Sequence, residues 1–274
     1  MDRAIHRFTA LWNKFPWNIL NQTTNARDTR QQKTTIMTTL ARLAIAALVA
    51  LFASSCMMDF GSGKTGNGEV VEETRNITGD FTYISASEGL DVFVTQGEEI
   101  TIRVEADENI IDLIGTDISE GRLKVHAIKN IGRAKKNVYV TLPIIESLES
   151  SSGADLVVQN VIKADNLELK ATSGSDLRVE LEANEVTAKT SSGADLKIIG
   201  KANTLYAEAS SGSDLSAREL EVKTCIAEAS SGSDIAVKVT ESLKADASSG
   251  GDISYVGDPS VETNNSVSGS VHKD

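Results

Sequence analysis

Residues 210–215 read Ser-Ser-Gly-Ser-Asp-Leu, and residues 230–235 read Ser-Ser-Gly-Ser-Asp-Ile. Looser copies are SSGADL from Ser151, TSGSDL from Thr172, SSGADL from Ser191 and SSGGDI from Ser248. Counted from the glycine, the copies sit at Gly153, Gly174, Gly193, Gly212, Gly232 and Gly250, with spacings of 21, 19, 19, 20 and 18 residues. A degenerate seventh, VSGSV, centres on Gly269. Repetition at so short a period decides the fold before local propensity does.

The flanks repeat with the motif. Three residues after each glycine stand Leu156, Leu177, Leu196, Leu215, Ile235 and Ile253, and five after it Val158, Val179, Ile198, Ala217, Val237 and Tyr255. Seven before it come Leu167, Val186, Leu205, Cys225 and Leu243, and five before it Leu148, Leu169, Ala188, Ala207, Ala227 and Ala245. Between these runs a charged column: Glu149, Lys170, Lys189, Glu208, Glu228 and Asp246. Apolar and charged residues alternate with period two, the signature of half-buried strands on both sides of a turn.

A unit of this length cannot bury its own apolar face, but stacked copies share one continuous core. The spacing therefore predicts an all-β chain whose residues 147–271 form a parallel β-helix or β-solenoid of six to seven short rungs. An antiparallel sandwich of hairpins with repeated turns is the alternative. Register of every column across six copies favours the solenoid, and small interior alanines let a short rung close.

In a solenoid the SGxD motif is first a corner. Glycine tolerates positive φ, and Ser and Asp hydrogen-bond neighbouring backbone amides. The aspartates Asp155, Asp176, Asp195, Asp214, Asp234 and Asp252 then stack in one column. At about 5 Å, each neighbouring pair costs roughly 1 kcal/mol in bulk water. Outward exposure, hydrogen bonds, nearby Lys or Arg, or bound cations must relieve that repulsion. The fold requires no cofactor, but calcium would suit an oxygen-only ladder, and these six aspartates are the candidate ligand or cation site.

Catalytic signals are weak. No rung is lengthened by more than two or three residues, which leaves no material for the walls of a groove such as carbohydrate-active β-helix enzymes use. His126 stands alone in LKVHAIK and reads as a surface strand residue, and His272 lies near the terminus. Cys225 shares its column with Leu205 and Leu243, which places it in the core. The remaining aromatics are scattered, so no sugar-stacking platform is evident.

Upstream, residues 69–146 alternate as strands: Leu90, Val92 and Val94; Ile100, Ile102 and Val104; Leu123, Val125 and Ala127; Val138, Val140 and Leu142. DENIIDLIG from Asp107 suggests one helical turn. Residues 56–68 are Gly-rich and read as a tether. Leu43–Ala53 is apolar and only eleven residues long, too short to span a bilayer and suited to the h-region of a signal peptide. Ala53, Ser54 and Ser55 lead into Cys56, an arrangement resembling a lipobox, so residues 37–55 read as a lipoprotein signal and Cys56 as the lipidated residue. Ordinary signal cleavage is the alternative. Residues 1–36 fit neither a signal nor a domain; translation from Met37 explains them best, and a genuine, disordered N-terminal extension starting at Met1 is the alternative.

The whole chain has 274 residues and a net charge of −12. Seven basic and two acidic residues precede Cys56, leaving 20 Lys+Arg against 37 Asp+Glu, a charge of −17. That balance repels nucleic acid and anionic lipid and favours cations, basic proteins or neutral glycans. With Cys225 the lone thiol besides the lipobox Cys56, the sequence holds no internal disulfide framework.

Phe81 and Ile84, GLDVFVTQG from Gly89, VEADENIID from Val104, GRLKV from Gly121 and the SGxD rungs together resemble the auto-transporter adhesin, head GIN domain family. The resemblance spans about residues 70–270. It implies an exported, β-helical bacterial lipoprotein held in the outer membrane, on its periplasmic or cell-surface face, with a glycan or protein as ligand. It brings no catalytic residues with it. The resulting expectation is a non-enzymatic envelope protein of undetermined oligomeric state; a carbohydrate-active enzyme and a purely structural envelope role are the alternatives.

Overall fold

The computed structural model of the chain describes residues 63–265 and 268–274. Cys56 and the proposed signal segment lie outside them. Strands β1 (Val70–Thr74), β2 (Tyr83–Ala86), β3 (Asp91–Gln96) and β4 (Thr101–Asp107) come first. A single 3-10 turn (Ile111–Leu113) follows, where DENIIDLIG suggested one, then β5 (Ile114–Ser119), β6 (Arg122–Ala127) and β7 (Lys136–Leu142). The repeat supplies β8 (Ser147–Ser151), β9 (Asp155–Val158), β10 (Ile162–Thr172), β11 (Asp176–Ser191), β12 (Asp195–Ser210) and β13 (Asp214–Ser230). It ends with β14 (Asp234–Ala247), β15 (Asp252–Val256), β16 (Ser260–Asn265) and β17 (Ser270–Lys273).

The repeat is a parallel β-solenoid. β11 pairs in parallel with β12, β12 with β13 and β13 with β14, in register through the motif and its flanking columns, with irregularities between Lys197 and Ile199, between Ala217 and Glu221 and between Val222 and Thr224. The pairing aligns Leu177 with Leu196, Leu196 with Leu215 and Leu215 with Ile235. These columns, which the sequence places inside, are buried to within a few per cent from Leu148 to Ile253, with Val158 at 9% and Tyr255 partly exposed. Cys225 is buried among them, and its burial pushes the thiol up to about 12, so it packs as a small apolar side chain.

The corners differ from the expectation in one respect. The serine before each glycine also has positive φ: Ser152 and Gly153 at 52° and 71°, Ser211 and Gly212 at 57° and 66°, Ser249 and Gly250 at 50° and 80°. Two successive left-handed residues make a type I′ turn, closed at the first corner by the Ala154 N–H donating to Ser151 O at 3.1 Å. The turn is also part of the stack, because the Gly174 N–H donates to Ser192 O of the next rung at 3.0 Å. The variable residue of SGxD points inward. Ala154, Ser175, Ala194, Ser213 and Ser233 are all buried, which limits that position to small side chains. The Ser233 hydroxyl donates to Ala209 O at 2.8 Å and accepts the Ser230 N–H at 3.1 Å, so the buried oxygen is satisfied.

The N-terminal region joins the same sheet and core but is not stacked in chain order. β2 and β3 form a rung that lies against β8 and β9 on one side and β6 and β7 on the other. The chain therefore leaves its first rung, builds the neighbour outside it, and returns to start the repeat. Antiparallel pairs close that end: β4 on β7, β1 on β4, and β5 on β6. Such pairings replace a long parallel edge with short, charged strands, which discourages edge-to-edge association. Arg75 braces this end, donating to Ile111 O at 2.8 Å and Ile114 O at 3.3 Å. Of the segment expected as a tether, residues 63–68 lie against the domain. The buried Asp107 carboxylate accepts the Gly68 and Lys135 N–H groups, each at 2.8 Å.

Candidate binding surface

The six aspartates of the motif do form one ladder. Asp155 pairs with Asp176, Asp176 with Asp195, and so on through Asp214 and Asp234 to Asp252. The ladder is longer than the repeat. Asp91 of β3 pairs with Asp155, Asn137 stands beyond it, and Ser270 closes the other end. Glu88-Gly89-Leu90-Asp91 is thus an outlying corner, with Glu88 and Gly89 at φ 61° and 68°. Its Gly-x-Asp was the available signal. Glutamate in place of serine, and 64 residues of chain before Gly153, concealed it.

Neither catalytic geometry nor a buried charge network sets this ladder; solvent and repulsion do. The carboxylates point outward, and among the described residues no backbone amide donates to them. Asp176 has Arg178 at 3.8 Å, and Asp252 has His272 Nδ1 at 3.3 Å together with the Ser270 hydroxyl. Partial burial, then contact with Asp176 and the charge of Asp91, raises the Asp155 pKa above its ordinary value, with Arg178 opposing. Burial, followed by Asp195 and Asp234 on the flanking rungs, raises Asp214 in the same way. No group of three or more His, Cys, Asp or Glu side chains among the described residues converges as a metal cage.

These shifts have a definite sign. A carboxyl whose folded pKa exceeds its unfolded value destabilises the fold when ionised, so protonation restores stability. As pH falls from 7 through the raised pKa values of Asp155 and Asp214, the melting temperature should rise. Further acidification should reverse the trend as Glu105 and Glu149 lose their partners. Tyr139 is the main cause that holds Glu105 low; at Glu149, burial is outweighed by Lys170 and Arg122. A thermal melt series from pH 7 to 4 checks this: Asp214→Asn should flatten the rise, and a monotonic fall in the wild type would refute it.

The charged column on the neighbouring face is uneven. Glu149 is held by Arg122 at 2.7 Å and Lys170 at 3.0 Å, and Glu208 by Lys189 at 3.0 Å. Glu228 and Asp246 continue the column and make no ion pair among the described residues. Beside them Tyr206 and Ile226 pair across adjacent rungs and are 39% and 38% exposed.

The histidines and aromatics are placed by contacts invisible in the sequence. His126 is a half-buried strand residue at the surface: its side chain is 18% exposed, lies over Gly115, and has Nε2 2.6 Å from Asp117. His272 has one ring nitrogen against Asp252 and the other 3.2 Å from Asp274. Both nitrogens thus face carboxylates. Phe93 and Tyr139 stack with centroids 5.1 Å apart, and Arg103 lies 4.1 Å over the tyrosine ring. β3 and β4 flank β7 on opposite sides, so both faces of Tyr139 are covered. Surface depressions of about 510 and 400 Å³ are lined by rows of strand residues, one by Glu182, Lys201 and Glu221, the other by Asp214, Asp234 and Arg218.

The sequence profile of the family described as "putative auto-transporter adhesin, head GIN domain" matches residues 80–259. The chain belongs to this family. Solved structures show the same fold. A putative adhesin from Bacteroides fragilis NCTC 9343 superposes with a TM-score of 0.70 at 18% identity, covering 77% of this chain and 100% of its own. A putative lipid binding protein from Parabacteroides distasonis ATCC 8503 gives 0.64 at 18% identity, covering 77% and 99%. A putative adhesin from Parabacteroides merdae ATCC 43184 gives 0.61 at 20% identity, covering 78% and 100%. No curated protein matches the sequence. No helix among the described residues is long and apolar enough to cross a membrane.

Proposed function

We propose that this head GIN domain protein is a non-enzymatic envelope protein, anchored by lipid on Cys56, whose solenoid binds partners through its outer wall. The observation that carries the reading is the wall itself. On both sides of the SGxD turn, each rung presents its charged and polar side chains in register with the next, so that part of the surface is a set of ladders rather than a cleft. Ladders bind extended or repetitive partners by many weak contacts, as an adhesin does. The family description supports this, and so do the adhesin names of two of its structural neighbours.

For the aspartate ladder, calcium is the proposed cation. Carboxylates one rung apart supply at most four oxygens from two residues, and calcium takes six to eight ligands, so water would complete the shell and affinity would be low. Millimolar calcium at pH 7 should raise the melting temperature of the wild type and not of Asp214→Asn/Asp234→Asn; no heat of binding in calorimetry would remove calcium.

Anchoring and exposure are tested together in cells. Labelled palmitate should enter the wild type, whereas Cys56→Ser should take up none and leave the membrane fraction. Protease added to intact cells should remove the solenoid if it faces outward. Complete protection would confine its partners to the periplasm and end the adhesin reading.

A further inference from the structure

We propose that the face carrying Tyr206 and Ile226 is a docking strip for a basic amphipathic helix of a protein partner. This deepens the binding-scaffold reading above and rests on it. Most outward positions on the repeat strands are polar or charged. Tyr206 and Ile226 are two large apolar side chains, exposed side by side on β12 and β13. In the same column Thr187 precedes them and Lys244 follows. Nothing in their own rungs requires an apolar group there, since the strands' interior columns are complete without them.

The flanking charge sets the partner's chemistry. Glu208, Glu228 and Asp246 stand two residues further along the same strands. Lys189 is committed to Glu208 at 3.0 Å, while Glu228 and Asp246 make no ion pair among the described residues. Lys244, at the end of the apolar column, is the other cation nearby. A partner must therefore offer apolar side chains in one row and Lys or Arg in the next. A second copy of this chain would bring acid against acid.

Spacing selects the partner's conformation. Adjacent rungs are about 4.8 Å apart, close to the ~5.4 Å pitch of an α-helix. A helix lying along the solenoid axis thus places about one turn on each rung, with side chains three or four residues apart over Tyr206 and Ile226. An extended strand repeats its same-face side chains at about 6.8 Å and loses register within one rung. The apolar contact spans two residues, so binding should be weak, fast and sensitive to salt.

The test uses the full chain and fluorescent 18-residue synthetic peptides in anisotropy titrations. One peptide carries Leu at i, i+4 spacing flanked by Lys, and a second has the same composition scrambled. The wild type should bind the amphipathic peptide at least tenfold more tightly than the scrambled one. Tyr206→Thr/Ile226→Thr should reduce that preference to less than twofold; Thr187 shows that threonine fits the column, and an unchanged melting temperature confirms folding. Glu228→Gln/Asp246→Asn should weaken both peptides several-fold. Equal affinity for the two peptides, or a preference that survives Tyr206→Thr/Ile226→Thr, would overturn the strip. A strip overturned while protease still cleaves the solenoid on intact cells leaves the adhesin reading standing; full protection ends that reading whatever the peptides do.

Discussion

Leu205→Ala should cost about 2–5 kcal/mol of unfolding free energy, the range for emptying a buried leucine site. Leu205 is fully buried, paired with Val186 on one side and Cys225 on the other. A cavity here cannot be filled by sliding a neighbour inward, because each rung is hydrogen-bonded to two others along its length. Stability in a solenoid is the sum of rung and interface terms, so damage at β12 weakens the interfaces with both β11 and β13. Chemical denaturation should show the loss as a lower midpoint. Tyr206→Thr, one residue away but outward, is the control and should shift stability by less than about 0.5 kcal/mol. Equal effects at the two positions would mean that the inward and outward faces are misassigned.

Gly200→Ala should be nearly as damaging for a different reason, costing about 3 kcal/mol or more. Gly200 has φ 121°, a region closed to side chains, and a Cβ there would lie 1.9 Å from Leu181 O in the adjacent rung. Backbone must move to admit the methyl group, and it is backbone of a hydrogen-bonded ladder. Gly212→Ala makes the informative comparison. Gly212 has φ 66°, and its Cβ would meet nothing within 4 Å. Only the left-handed conformation is penalised, at about 1–2 kcal/mol. The corner glycine of the repeated motif should therefore tolerate alanine better than a glycine outside it. Thermal melts of both variants decide the order, and a Gly212 variant less stable than the Gly200 variant would contradict it.

That comparison marks where the sequence is legible and where it is not. The motif glycines from Gly153 to Gly232 are conspicuous because they repeat, yet their space is open. Gly200 occurs once, and its demand arises from Leu181 on the neighbouring rung. The serine before each corner glycine is similar: glycine advertises one left-handed residue, whereas the type I′ turn requires two. Tyr139 and Phe93, 46 residues apart, meet only because β7 inserts outside β3. The same insertion hid Asp91 from a reading based on period.

By itself the sequence determined the solenoid, its inward columns, the corner positions and the aspartate ladder of the repeat. It could do so because parallel, in-register stacking converts a linear period directly into spatial columns, so that residues about 19 apart become neighbours without further information. Tertiary structure alone decided the order of the N-terminal rungs, the seventh aspartate, the covering of Tyr139 and the uneven charge beside Tyr206 and Ile226. Each depends on a contact between segments that share no period, or on which ion pair wins a lysine. SSGSDL is accordingly a turn that aligns one rung with the next and holds the side chains of successive rungs in rows.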